Sequence, residues 1–176
     1  MDFGILYFFN GLHTEILDNI MIFLTQLGDK GIFWIVIAVA LLFSSKTRKC
    51  GIFMLVSMGI GLLIGNGIIK NLVARPRPYW IDESITLLIP GLSDYSFPSG
   101  HTLASFEAAI MIFLFNKKWG IPAIILSVLI GISRLYLFVH FPTDVLAGAI
   151  LGTIISLTVY YIGNKIEDKF LKKQNV

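Results

Sequence analysis

Residues 51–78 read GIFMLVSMGIGLLIGNGIIKNLVARPRP. The stretch from Gly51 to Leu72 is an apolar run of the length that crosses a bilayer, for which about 20 residues are needed. Near its end stands Lys70, with Asn66 one turn earlier on the same face. Arg75-Pro76-Arg77-Pro78 then stops the helix, because proline lacks the N–H and clashes with the preceding turn. An apolar helix that carries a lysine and two arginines to a membrane boundary asks for an anionic partner there, since charge in an apolar chain is expensive. Two arginines on a stiff loop suit a phosphate dianion, whose oxygens match the forked guanidinium donors. The plain alternative is a basic cluster resting on lipid headgroups.

The rest of the chain has the same character. Of 176 residues, 56% are hydrophobic and 14% charged, and mean hydropathy is +0.80. That composition excludes an ordinary soluble domain and predicts an all-α polytopic membrane protein with one domain over residues 1–176. A single cysteine, Cys50, excludes an internal disulfide and a cysteine-based metal cluster. Met1-Asp2-Phe3 lacks the basic start of a cleavable signal peptide, so the first segment is expected to stay in the mature protein.

Six membrane helices are predicted: Leu12–Leu27, Gly31–Phe43, Gly51–Leu72, Thr102–Phe115, Gly120–Val139 and Pro142–Ile162. Phe3–Phe9 reads as a short interfacial helix. The basic residues then sort by side. Lys46, Arg48, Lys49, Lys117, Lys118, Lys165, Lys169, Lys172 and Lys173 all fall on one face, nine of the fourteen Lys and Arg. The positive-inside rule makes that face cytoplasmic, with both termini there. The Lys165–Lys173 tail reads as a basic end lying on the anionic inner leaflet. The other five of the fourteen are Lys30, Lys70, Arg75, Arg77 and Arg134; the last four sit in or beside the polar fragments, so the site is expected on the extracytoplasmic side. Gly61 with Gly65, and Gly148 with Gly152, have the spacing that lets helices approach closely.

Two further fragments reach that same face. Pro98-Ser99-Gly100-His101 opens the fourth helix, with Ser99 as N-cap and Gly100 leaving room for a ligand beside the backbone. Free N–H groups and the positive helix end make an anion site there, with His101 at its mouth; ordinary capping beside an exposed histidine is the bland reading. Ser133-Arg134 lies late in the fifth helix, followed by His140 and Asp144. Arg134 inside an apolar run wants an internal anion. Asp144 can accept from one imidazole nitrogen of His140 and leave the other free to attack.

Together, Lys70 with Arg77-Pro78, Pro98-Ser99-Gly100-His101, and Ser133-Arg134 with His140 and Asp144 resemble the tripartite signature of the type 2 phosphatidic acid phosphatase (PAP2) superfamily. The short apolar chain is similar to its membrane lipid phosphatases, and its size to bacterial undecaprenyl-diphosphate phosphatases. The resemblance implies attack on phosphorus by His140, orientation of His140 by Asp144, and His101 as acid and then base. Lys70, Arg77, Arg134, Ser99 and the Gly100 N–H would hold the phosphoryl oxygens. No metal or other cofactor is implied. The implied partners are a lipid phosphate or diphosphate and the bilayer of a bacterial cell membrane, with no nucleic acid. Phosphatidylglycerol phosphate and phosphatidic acid are the alternative substrates. A small anion or lipid permease is the alternative of another class. Arg75 is a possible auxiliary cation. Glu107 is expected inside the bundle, tuning the site, contacting Ser133 or making a structural hydrogen bond. Asp82, Glu83 and Asp94 are expected to be solvated in the outer loop.

Overall fold

The computed structural model describes residues 2–174, with side chains as far as Lys169. Among these residues every regular element is helical. The elements are α1 (Asp2–Asn10), α2 (Glu15–Leu27), α3 (Ile32–Leu42), α4 (Arg48–Gly61), α5 (Lys70–Val73), α6 (Pro78–Ile81), α7 (Gly100–Phe115), α8 (Lys117–Tyr136) and α9 (Pro142–Gln174). A π-helical stretch, Leu62–Ile69, joins α4 to α5 without interruption. Polar caps set several starts: Thr14 accepts from Leu17 N–H, Ser99 from Thr102 N–H and Asn116 from Lys118 N–H.

The chain is membrane-embedded, and α7 is its centre. On one side α4 and the π-helical stretch reach it through glycines: a Cβ on Gly61 would strike the Glu107 carboxyl, and one on Gly65 the Leu103 side chain. On the other side α9 does the same, since a Cβ on Gly148 would lie 2.7 Å from Ser99 O and one on Gly152 2.7 Å from Leu103 O. Both sequence pairs therefore face one helix, where small residues let backbones touch. Buried hydroxyls add cross-links. Trp34 Nε1 donates to Ser105 Oγ (3.0 Å), Ser127 Oγ to Ser105 O (2.9 Å) and Ser156 Oγ to Glu107 O (2.7 Å). Around them pack Ala38, Met54, Ala108, Met111 and Ile130. Outward-facing Phe43, Leu63 and Leu72 are exposed, as side chains against lipid should be.

The helices compare unevenly with the six expected spans. The α4–α6 segment, α8 and α9 are each long and apolar enough to cross a membrane; α7 is a shorter apolar helix. The segments read as spans one and two, α2 and α3, reach that length only together, as a pair bent by 42°. The reason is local: Gly28 caps a 3₁₀ turn, Asp29–Gly31, in which Lys30 (φ 51°) and Gly31 (φ 68°) take left-handed backbone. That turn deflects the chain without reversing it. Asp2 and Glu167 lie at opposite ends of the bundle. At one end Asp2 Oδ2 is 3.1 Å from Arg75 and Tyr7 OH donates to Asp82 at 2.7 Å. At the other, Lys49 pairs with Glu167. Both termini were expected on one face; Asp2 lies instead beside Arg75, at the end opposite Glu167. Lys46, Arg48, Lys49, Lys117, Lys118, Lys165 and Lys169 still share one end by the helix directions; the side chains of Lys172 and Lys173 lie outside the described residues.

The short N-terminal helix is present as α1. It rests on the other end of the bundle, with Phe3 edge-on to Phe141 at 5.4 Å between ring centres. The fifth predicted helix stops at Tyr136 rather than Val139. Phe138 turns left-handed (φ 59°), and buried Leu137, Phe138 and Val139 carry the chain back towards the bundle axis. His140 is delivered by that turn.

Candidate active site

The end of the bundle that carries α1 and α5 holds a cavity of about 630 Å³. Its polar end is lined by Lys70, Arg77, Gly100, His101, Arg134 and His140, and its deeper wall by Ile35, Leu55, Met58, Leu62 and Leu103. Three separate parts of the sequence thus converge on one space. The widened π-helical turn presents both Asn66 and Lys70 to it, a use of π geometry common at functional sites.

His140 is buried, and its two nitrogens face different surroundings. Nδ1 lies 3.6 Å from Asp144 Oδ2 and 3.4 Å from Ser96 Oγ. Nε2 lies 3.3 Å from Arg77 Nη1. A proton held on Nδ1 leaves the Nε2 lone pair on the Arg77 side. Burial pushes the imidazole down to about 3, against the pull of Asp144, with Arg134 and Arg77 lowering it further; at neutral pH it is uncharged. Asp144 is itself fixed by three donors besides His140. Oδ2 accepts from Phe141 N–H (2.8 Å) and from Ser96 Oγ, and Oδ1 accepts from Arg75 Nη1 (2.7 Å).

The cations differ in their partners. Lys70 Nζ donates to Asp94 Oδ2 at 2.5 Å. Arg77 Nη2 donates to Asp94 Oδ1 (2.7 Å), Nε to Asp94 O (2.7 Å) and Nη1 to Val139 O (2.8 Å). Arg134 is 1% exposed; its Nη1 donates to Thr25 Oγ1, while Nε and Nη2 have no partner among the described residues. His101 Nε2 is 2.8 Å from Asp29 Oδ1.

Several sequence expectations change at this point. Asp94 is not a freely solvated loop carboxylate but bridges Lys70 and Arg77. Burial raises its carboxyl, yet the Lys70 ammonium and the Arg77 guanidinium outweigh that and bring it down to about 2. Arg75 does not line the cavity. It points behind His140, onto Asp144, Thr143 Oγ1 (2.6 Å) and Asp2, with its guanidinium 4.0 Å from the Phe141 ring centre. Ser99 is fully buried behind the cavity wall, and its hydroxyl takes up Thr102 Oγ1–H at 3.0 Å. A Cβ on Gly100 would meet Asn66 Oδ1 at 2.9 Å, so the glycine there makes room for Asn66. Glu107 does lie inside the bundle and lines the cavity, but its Oε1 has no partner among the described residues. Its expected contact with Ser133 is absent: Ser133 Oγ donates to Ile130 O at 2.6 Å. Thr25, Asp29 and Ser96 were not anticipated. Asp29 had a sequence signal, the polar break Gly28-Asp29-Lys30-Gly31 inside an apolar stretch. Thr25 and Ser96 had none.

Comparison with known proteins shows the family. The family described as the PAP2 superfamily matches residues 51–168. An undecaprenyl-diphosphatase of Sulfolobus acidocaldarius is 39% identical over 141 residues, covering 80% of this chain and 68% of its own. Undecaprenyl-diphosphatase BcrC of Bacillus subtilis is 32% identical over 162 residues, covering 91% and 83%. The crystal structure of a transmembrane PAP2-type phosphatidylglycerolphosphate phosphatase from Bacillus subtilis superposes with a TM-score of 0.78 at 30% identity, covering 94% of this chain and 85% of that one.

Proposed function

The chain belongs to the PAP2 superfamily and is a membrane lipid phosphatase, and from that premise we propose that it removes the terminal phosphate of undecaprenyl diphosphate at the extracytoplasmic face of a bacterial membrane. The observation that carries this reading is Arg134. A buried guanidinium with two unpartnered donors is costly, and it lines the same cavity as Lys70, Arg77 and the Nε2 side of His140. A phosphoryl group supplies the missing acceptors. The apolar depth of the cavity, between Ile35, Met58 and Leu62, suits a prenyl chain. The two undecaprenyl-diphosphatase relatives favour this substrate. The seven described cations at the opposite end of the bundle favour an outward-facing site.

In the proposed reaction His140 Nε2 attacks the terminal phosphorus. The bond from phosphorus to the bridging oxygen breaks, and His101 gives that oxygen a proton, releasing undecaprenyl phosphate. The phosphorus is then bonded to His140. His101 next takes a proton from water, whose oxygen attacks phosphorus and returns His140 to its free state as inorganic phosphate forms. Asp144 holds the Nδ1 proton and offsets positive charge on the ring. Lys70, Arg77 and Arg134 meet the charge that grows on the phosphoryl oxygens, where fixed donors act most strongly.

A second reading has an observation of its own. Glu107 Oε1 is unpartnered inside the cavity. The hydroxyl and ester groups of a glycerolipid would give that carboxyl a partner, whereas a prenyl chain would not. Phosphatidylglycerol phosphate, and after it phosphatidic acid, are therefore the alternative substrates. The test is phosphate release by the detergent-purified protein, in chelator, from all three lipids. Undecaprenyl diphosphate is expected to be turned over fastest, with full activity in chelator and none in His140→Ala or His101→Ala. Faster release from phosphatidylglycerol phosphate, lost in Glu107→Leu, would establish the second reading. Undiminished rates in both histidine variants would remove the proposed chemistry.

A further inference from the structure

We propose that Asp94 is a resident counter-ion of the phosphoryl seat: it occupies Lys70 and Arg77 between turnovers, yields them to the substrate phosphoryl group, and returns to expel inorganic phosphate. This rests on the reading of Lys70 and Arg77 as phosphoryl donors and adds a residue that governs how tightly the seat holds an anion.

The geometry is that of an anion in a two-point cradle. One carboxylate oxygen takes Lys70 Nζ at 2.5 Å and the other takes Arg77 Nη2 at 2.7 Å. Two oxygens of a phosphoryl group span the same pair of donors. The seat is fixed and the occupant is not. Side chains of Lys70 and Arg77 are 8% and 1% exposed, whereas that of Asp94 is 53% exposed. Lys70 sits on the continuous α4–α5 rod, and Arg77 is pinned through Nη1 to Val139 O. Asp94 belongs to the helix-free segment between α6 and α7. That segment is anchored on either side of it. Tyr79 OH donates to Leu92 O at 2.6 Å, and Ser96 N–H donates to Arg75 O at 2.8 Å. Arg77 Nε also keeps the Asp94 carbonyl. The Asp94 carboxylate can therefore rotate out towards water while its backbone stays in place.

The energetic reason for such a residue follows from the charge. Lys70, Arg77 and Arg134 line one cavity. Three cations would hold phosphate product as firmly as substrate, and such uniform binding does nothing for the chemical step. The Asp94 carboxylate is ionised at neutral pH, and it cannot share the seat with a phosphoryl dianion without strong repulsion. It weakens substrate and product binding alike. Arg134, with its unpartnered donors, is the cation left open for the incoming group, and Asp94 leaves as the phosphoryl oxygens reach Lys70 and Arg77.

The test uses the full chain in detergent, with undecaprenyl diphosphate as substrate and inorganic phosphate and orthovanadate as competing anions. Wild type, Asp94→Asn and Asp94→Ser are compared. Neutral replacements are expected to lower the inhibition constants of both anions by about tenfold or more, to lower KM, and to lower kcat as phosphate release slows. Inhibition constants equal to or above wild type in both variants would overturn the proposal. Phosphate-dependent thermal shifts read the same affinity without turnover; shifts in the variants no larger than in wild type would also overturn it. A wild-type enzyme that hydrolyses lipid but is unaffected by either anion would instead refute the seat itself, and Asp94's role with it.

Discussion

Replacing Arg134 by methionine separates what this residue does for the fold from what it does for the chemistry. In the structure the guanidinium is 1% exposed and makes one hydrogen bond, from Nη1 to Thr25 Oγ1, leaving Nε and Nη2 without partners. A buried charge so poorly satisfied costs several kcal/mol, and well-packed apolar replacements of buried ionic groups stabilise proteins by about 1–4 kcal/mol. Methionine fills similar space and carries no charge. Thr25 loses its donor, which takes back about 1 kcal/mol. The net expectation is a gain of roughly 0–3 kcal/mol, or up to about 9 °C in Tm for a chain of this length. Activity moves the other way. Each donor aimed at developing phosphoryl charge is worth about 10²–10³ in rate, so phosphate release should fall by at least about 10³-fold. Intrinsic fluorescence of Trp34, Trp80 and Trp119 in phosphate-free detergent buffer reads Tm, and phosphate release reads rate. Saturating phosphate should then raise the Tm of wild type more than that of the variant, which keeps Lys70 and Arg77 but has lost the third cation. A variant that melts below wild type without phosphate, yet hydrolyses within about tenfold of it, would refute the argument.

Arg75→Gln removes a donor from Asp144 outside the cavity; with Arg75 27% exposed, solvent takes up part of the loss, so kcat should drop by about tenfold. KM and the vanadate inhibition constant should hold; weakened anion binding would show instead that Arg75 touches the phosphoryl group. The folded His140 imidazole titrates near 3 rather than 6.5, so between those values the unfolded chain binds more protons. The stability contribution is complete above about pH 6.5 and is lost as pH falls towards 3. Tm measured from pH 7.5 to 4.5 should therefore decline more steeply for wild type than for His140→Asn, and equal slopes would contradict the assignment. Gly148→Ala places a Cβ 2.7 Å from Ser99 O and 3.2 Å from Leu103 N; backbone cannot yield, so stability should fall by about 1–3 kcal/mol and kcat with it, as α9 carries Asp144 away. Gly59→Ala meets nothing within 4 Å and should leave Tm unchanged or slightly raised.

The apolar runs, the proline stop after Lys70 and the Ser99 cap are local properties, legible in the chain because the bilayer forces each span to satisfy its own backbone. Lys70, Arg77, His101, Arg134 and His140 could be gathered in advance because each is a charged or titratable group at the end of an apolar segment. The path of the first two apolar segments was less legible. Whether Gly28–Gly31 reverses the chain or merely bends it depends on backbone angles at Lys30 and Gly31, and hydropathy is the same in either case. The partners of the site residues were the least legible. Asp94 fills the seat of two cations, Arg75 turns from the cavity to Asp144, and Asp29 reaches His101, each across tens of residues. Such contacts depend on how α7, α8 and α9 cross and on where the helix-free 82–99 segment folds back. Sequence therefore determined which groups must be shielded from lipid and at which end of each helix they stand; only the tertiary structure decided which of them neutralise one another and which, like Arg134, keep donors without a partner.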